Sequence, residues 1–123
     1  MEEKIKNLSK KLNYLLDLKS ITIGQILKNK EKFDSPAVYA ISKPNTKDVV
    51  YVGRTKNLTL RIVDHKNTDT KSDLRMMIKG KEGYPQDIVD YCVRYIKIEN
   101  SRERMFFENF VIGVLEPKLN KEG

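Results

Sequence analysis

Tyr51-Val52-Gly53-Arg54-Thr55-Lys56-Asn57-Leu58-Thr59-Leu60-Arg61-Ile62-Val63-Asp64-His65 reads as a strand, a glycine and a helix. The apolar run Val49–Val52 ends at Gly53, where the missing side chain lets another group approach the backbone. A helix beginning near Thr55 carries Arg61 and His65 one turn apart and therefore on one face. The strand delivers Tyr51 to the same end. A phenol, a guanidinium and an imidazole gathered beside a glycine suit a phosphate.

The surrounding chain sets limits on what this stretch serves. Its 123 residues suffice for one domain. With 39% hydrophobic and 33% charged residues it reads as an ordinary globular protein, and no apolar run reaches the roughly 18–20 residues of a membrane span. The lysine-rich N-terminus lacks the apolar core of a signal peptide, so a cytoplasmic location is expected. One cysteine, Cys92, excludes an internal disulfide and a paired-cysteine zinc site, and reads as a buried, inert thiol in an apolar strand. The net charge of +7 favours a polyanionic partner, by counterion release if that partner is nucleic acid.

Residues 1–18 form an amphipathic helix with Ile5, Leu8, Leu12 and Leu15 at alternating spacings of three and four. It packs on its own domain, joins two copies through a dimer seam, or lies along a nucleic-acid backbone. Thr22 and Gln25 have capping-box spacing for a short second helix. Ala37–Ile41 and Val49–Val52 are strands joined by the turn-rich 43–48 segment, hence an antiparallel hairpin. Alternation allows Tyr39 and Tyr51 to share a face, although either alone reads as a core aromatic. A short helix follows from Ser72, then a third strand over Tyr91–Ile98. A last helix runs from Asn100 to about Leu115, where Pro117 stops it.

That last helix holds an anomaly. Its polar sector is Arg102, Asn109, Gly113 and Glu116, yet Glu108 falls among Val111, Ile112 and Leu115. A carboxylate there must meet a cation, strong donors or an opening. A structural ion pair, with Arg61 as one candidate partner, and a metal ligand are both open readings.

Together these pieces resemble the GIY-YIG nuclease family. The matching positions are Ala37-Val38-Tyr39, Tyr51-Val52-Gly53, Arg61, His65, Glu108 and Asn120, ordered over about Pro36–Asn120. The first glycine of the family name is Ala37 here, and valine replaces isoleucine in both tripeptides. His65 is the sole histidine, so a mechanism that needs two is unavailable. The resemblance implies an α+β fold, a small three-stranded antiparallel sheet flanked by helices, with residues 1–35 as a helical extension and 36–123 as the nuclease domain.

The resemblance further implies a DNA endonuclease using one divalent cation, Mg2+ or Mn2+, held by Glu108. Tyr39 would take a proton from the attacking water, directly or by way of His65, while Arg61 clamps the phosphate. Tyr51 would hydrogen-bond the water or phosphate, and Asn120 would orient groups around Glu108. Gly53, Arg54 and Lys56 would contact the substrate. The alternative on the same scaffold is a catalytically silent nucleic-acid-binding module.

Overall fold

In chain order the elements are α1 (Glu2–Asp17), β1 (Ile21–Thr22), α2 (Ile23–Lys28), β2 (Ala37–Ser42), β3 (Val49–Thr55), α3 (Leu58–Asn67), α4 (Leu74–Met77), β4 (Cys92–Lys97), α5 (Ser101–Leu115) and α6 (Lys118–Lys121). They come from a computed structural model that describes residues 1–121. The strands form one antiparallel sheet in the order β1-β4-β2-β3.

Position in this order explains the sequence of β2. It lies between two other strands with helices on both faces, and all six of its residues are buried. A strand covered on both sides has no polar face to show, hence the unbroken Ala37–Ile41 run. The 43–48 connection turns through Asn45, whose φ of 61° lies in the left-handed region that asparagine tolerates.

The sheet has four strands, not three. The additional strand, β1, pairs Ile21 with Val93 and Thr22 with Cys92 along the outer side of β4. Two residues carry no readable alternation. Thr22 also caps α2, accepting from the Gln25 amide while the Gln25 side chain accepts from the Thr22 amide.

Two apolar layers flank the sheet. One gathers Tyr39, Ile41, Leu58, Ile62, Leu74 and Tyr91 beneath α2, α3 and α4. The other joins Leu12 and Leu15 of α1 to Val38, Ala40, Val52, Phe107 and Val111. The α1 seam thus packs on the chain's own sheet, each fully buried leucine contributing about 2 kcal/mol, and no second copy is needed to cover it. Ile5, at 52% exposure, stays outside this contact.

Two local expectations are revised. The N-cap of α3 is Asn57, whose side chain accepts from the Leu60 amide, whereas Thr55 closes β3 and accepts from the Asn57 amide. Cys92 is only half-buried, because it stands at the outer end of β4. Among the described residues no helix is long and apolar enough to cross a membrane.

Candidate active site

The β2–β3 register pairs Tyr39 with Gly53 and Ile41 with Tyr51, which puts both phenols on the α3 face. His65 from α3 closes the group: its ring centroid lies 5.8 Å from that of Tyr39 and 5.5 Å from that of Tyr51. The two phenol rings are 6.2 Å apart. Tyr39 and His65 are fully buried, and Tyr51 is partly exposed.

His65 is locked by hydrogen bonds at both nitrogens. The Leu74 amide donates to Nδ1 at 2.7 Å, and Nε2 lies 2.8 Å from the Tyr39 hydroxyl. A backbone amide can only donate, so Nδ1 is the unprotonated nitrogen. Burial, then the Arg61 charge, push the imidazole down to about 3 against an opposing pull from Asp73, so the ring is neutral. Its one proton therefore sits on Nε2 and is donated to Tyr39. The Tyr39 hydroxyl keeps its own proton for another acceptor. Burial first, and then neighbouring Tyr51 and Glu108, raise its pKa well above 10, while Arg61 pulls the other way.

Arg61 lies beside both phenols, one turn from His65 as its spacing predicts. Its Nη1 donates to Asp73 Oδ1 at 2.7 Å and its Nη2 to the Ser72 carbonyl at 2.7 Å. Asp73 is itself buried. Burial would raise its carboxyl, but hydrogen bonds from Thr68, Thr70 and Arg61 outweigh that and hold it at about 2. The 68–74 segment thus aims two functional groups, Arg61 through Asp73 and His65 through the Leu74 amide. Asp73 did not stand out from the sequence. The available signal was an aspartate directly before the apolar Leu74 run, the ordinary mark of a helix N-cap.

Glu108 approaches from the other face. α5 belongs to the layer with Val52, on the sheet face opposite Tyr39, yet the Glu108 charge still acts on the Tyr39 phenol. Its partner is Arg54 at 2.6 Å, not Arg61. The Glu108 side chain is 14% exposed. Among the described residues no cluster of three or more His, Cys, Asp or Glu exists that could hold a metal ion. One accessible carboxylate nevertheless fits a hard cation such as Mg2+, which is commonly held by one or two carboxylates and keeps several waters.

Asn120 spends its hydrogen bonds on β3, not on Glu108. Its Oδ1 accepts from the Val52 amide and its Nδ2 donates to the Val52 carbonyl, both at 2.8 Å. It thereby pairs with edge strand β3 as a residue of a further strand would. Gly53 is also reassigned: a Cβ built there would meet the Tyr39 hydroxyl at 2.5 Å and its ring at 2.7 Å. The group that approaches this glycine is Tyr39. Arg54 and Lys56 line an open cleft of about 660 Å³ with Arg102, Arg104 and Phe106, next to Glu108.

The model of the GIY-YIG catalytic domain matches residues 35–121. The chain belongs to the GIY-YIG family, and its catalytic class is that of the GIY-YIG-type endonucleases. Among solved structures it is similar to the N-terminal endonuclease domain of UvrC from Thermotoga maritima bound to its catalytic magnesium. The identity is 24% and the TM-score 0.50, covering 75% of this chain and 94% of that one. It is likewise similar to two cation-bound variants of that domain, one with tyrosine replaced by phenylalanine and one with asparagine replaced by alanine. Each has 24% identity and a TM-score of 0.50, covering 75% of this chain and 93% of the other. No curated protein matches the chain.

Proposed function

We propose that the chain is a divalent-metal-dependent endonuclease that hydrolyses phosphodiester bonds of DNA, with Mg2+, or Mn2+ in its place, as the resident cation. The observation that carries this is the Tyr39–His65–Arg61 group, with the partly exposed carboxylate of Glu108 close enough for its charge to act on the Tyr39 phenol. The catalytic unit spans residues 36–123, and residues 1–35 extend it with β1 and α1.

Glu108 holds the cation, which when bound polarises the phosphoryl group and offsets charge on the departing 3′ oxygen. Tyr39 acts as its phenolate: the phenol first releases its proton to solvent, and the phenolate oxygen then accepts the proton of the attacking water directly. A relay through His65 is disfavoured because neither imidazole nitrogen has a free lone pair. His65 instead donates into the Tyr39 oxygen, and Arg61 adds a positive charge, so both stabilise the phenolate that waits for the water's proton. Arg61 also offsets charge growing on the phosphate, and Tyr51, partly exposed, orients the water or a phosphate oxygen. Arg54, Lys56 and Arg102 guide the DNA backbone along the cleft beside Glu108.

Cleavage of plasmid, flap, branched and single-stranded DNA, with Mg2+ and with chelator, tests this reading. Wild type cuts only with the metal, while Glu108→Gln cuts at least about 10²-fold more slowly and keeps its DNA affinity. Cleavage that survives the chelator or the substitution overturns the reading. Binding without cleavage at every metal concentration makes the chain a silent nucleic-acid-binding module.

A further inference from the structure

Among the described residues three charged side chains are buried to 95% or more, and two of them are satisfied. Arg104 donates to the carbonyls of Ile98 and Glu99, and Asp73 is held by Arg61 and two threonines. Arg94, 5% exposed on β4, has no counterpart. Its Nε is buried without a hydrogen bond, and among the described residues no acceptor or carboxylate pairs with its guanidinium. Its terminal nitrogens are not among the buried unpaired atoms, so they open to solvent through the clefts beside them, where an anion can meet them.

The surroundings of Arg94 leave room for an anion. Ala40 faces it across the β2–β4 pair and contributes almost no bulk. Two clefts meet at Arg94, of about 440 Å³ and 540 Å³. One carries Tyr14, Tyr95 and Lys97, the other Asn45 and Lys47, and Lys19 borders both. Among the described residues Asp17 is the single acidic side chain on either lining. Tyr14, 62% exposed, offers a ring face at the rim. Arg94 alternates with Tyr95 along β4, so it lies on the sheet face away from Tyr39 and His65.

We infer that this double cleft seats a phosphoryl group of a DNA strand, held outside the cleavage site, with Arg94 as its main ligand. Lys19 and Lys47 supply flanking charge, and Tyr14 supplies a surface on which an unpaired base stacks. The choice of DNA over other phosphorylated ligands rests on the endonuclease reading. The cleft itself does not.

The test compares full-length Glu108→Gln with the same chain also carrying Arg94→Met or Arg94→Lys. Binding of a short fluorescein-labelled single strand is measured against salt without magnesium, and thermal midpoints are measured without DNA. Arg94→Met is expected to weaken binding about 5- to 10-fold and to reduce the salt slope by roughly one. Its midpoint without DNA holds or rises, because an apolar side chain replaces a guanidinium that no protein group pairs with and whose Nε is buried without a partner. Arg94→Lys, which keeps the charge, recovers most of the slope. A lower midpoint with an unchanged salt slope makes Arg94 a structural residue and overturns the site. Inorganic phosphate is the second probe, read through the Arg94 Nε resonance. A response to phosphate alone, with strand binding insensitive to Arg94→Met, assigns the cleft to a small phosphate and overturns the strand assignment. Because no turnover is involved, an inactive wild type refutes the endonuclease reading without touching this result.

Discussion

The hydroxyl of Tyr39 lies 2.8 Å from Nε2 of His65, and the hydrogen between them belongs to the imidazole. This makes His65 a neutral donor held at about 3 in the folded chain, against about 6.5 when unfolded. Between those values the unfolded chain binds the extra proton. The stability is therefore complete above about pH 6.5 and is lost as pH falls towards 3, by up to about 5 kcal/mol. Asp73, held at about 2, adds a further loss only below about pH 4. Urea midpoints measured from pH 7.5 to 4 should hold to about pH 6.5 and then fall in wild type, and stay nearly flat in His65→Gln. Parallel curves would refute the neutral, locked imidazole. Cleavage should climb through alkaline pH as Tyr39 ionises, with no break near 6.5.

Gly53→Ala tests how Tyr39 is seated. The added methyl would sit 2.5 Å from the phenol oxygen, so the ring must leave its place against β3 and its contact with His65. Cleavage should drop at least about 10²-fold, the scale on which small misplacements act. A crystal structure of the variant should show the Tyr39 ring displaced. Activity within a few-fold of wild type would mean that the phenol position is not critical.

Arg54 competes with the cation for Glu108. The pair is partly solvent-exposed, so removing Arg54 frees at most about 1 kcal/mol, or roughly fivefold in affinity. Calorimetry of the DNA-free chain should find Arg54→Met binding Mg2+ a few-fold more tightly, and anisotropy should find it binding DNA more weakly. Weaker Mg2+ binding would show that Arg54 organises the site rather than masking it.

Asn120→Ala removes both partners of the buried Val52 peptide groups and should destabilise the chain by about 2 kcal/mol. Because the Asn120 hydrogen bonds go to β3 and not to Glu108, kcat per folded molecule and Mg2+ affinity should hold. A large fall in either at full folding would restore a role for Asn120 around Glu108.

The hairpin, the shared face of Tyr39 and Tyr51 and the one-turn spacing of Arg61 and His65 were legible in the sequence, because each follows from a local period. Glu108 was legible as an anomaly, but its partner was not, since Arg54 lies 54 positions away on another element. The Asn120 clamp spans 68 positions and is set by the corner at Glu116, where φ is 47°. β1 was illegible for want of length. The start of α3 was read at Thr55, two residues early, although Asn57 stands directly before the first apolar position. Arg94 read as one more basic residue of an alternating strand, and only the closed sheet reveals that it is buried and alone.

The sheet order has a dynamic consequence. β2, which carries Tyr39, is hydrogen-bonded along both sides, so its amides should open only with global unfolding and exchange slowest with solvent. Arg61 and Glu108 ride on helices instead, at the ends of long side chains. The phenol and the Asp73-held Arg61 are then a fixed floor, and Glu108, tied only to the partly exposed Arg54, is the part an arriving strand can shift without disturbing that floor.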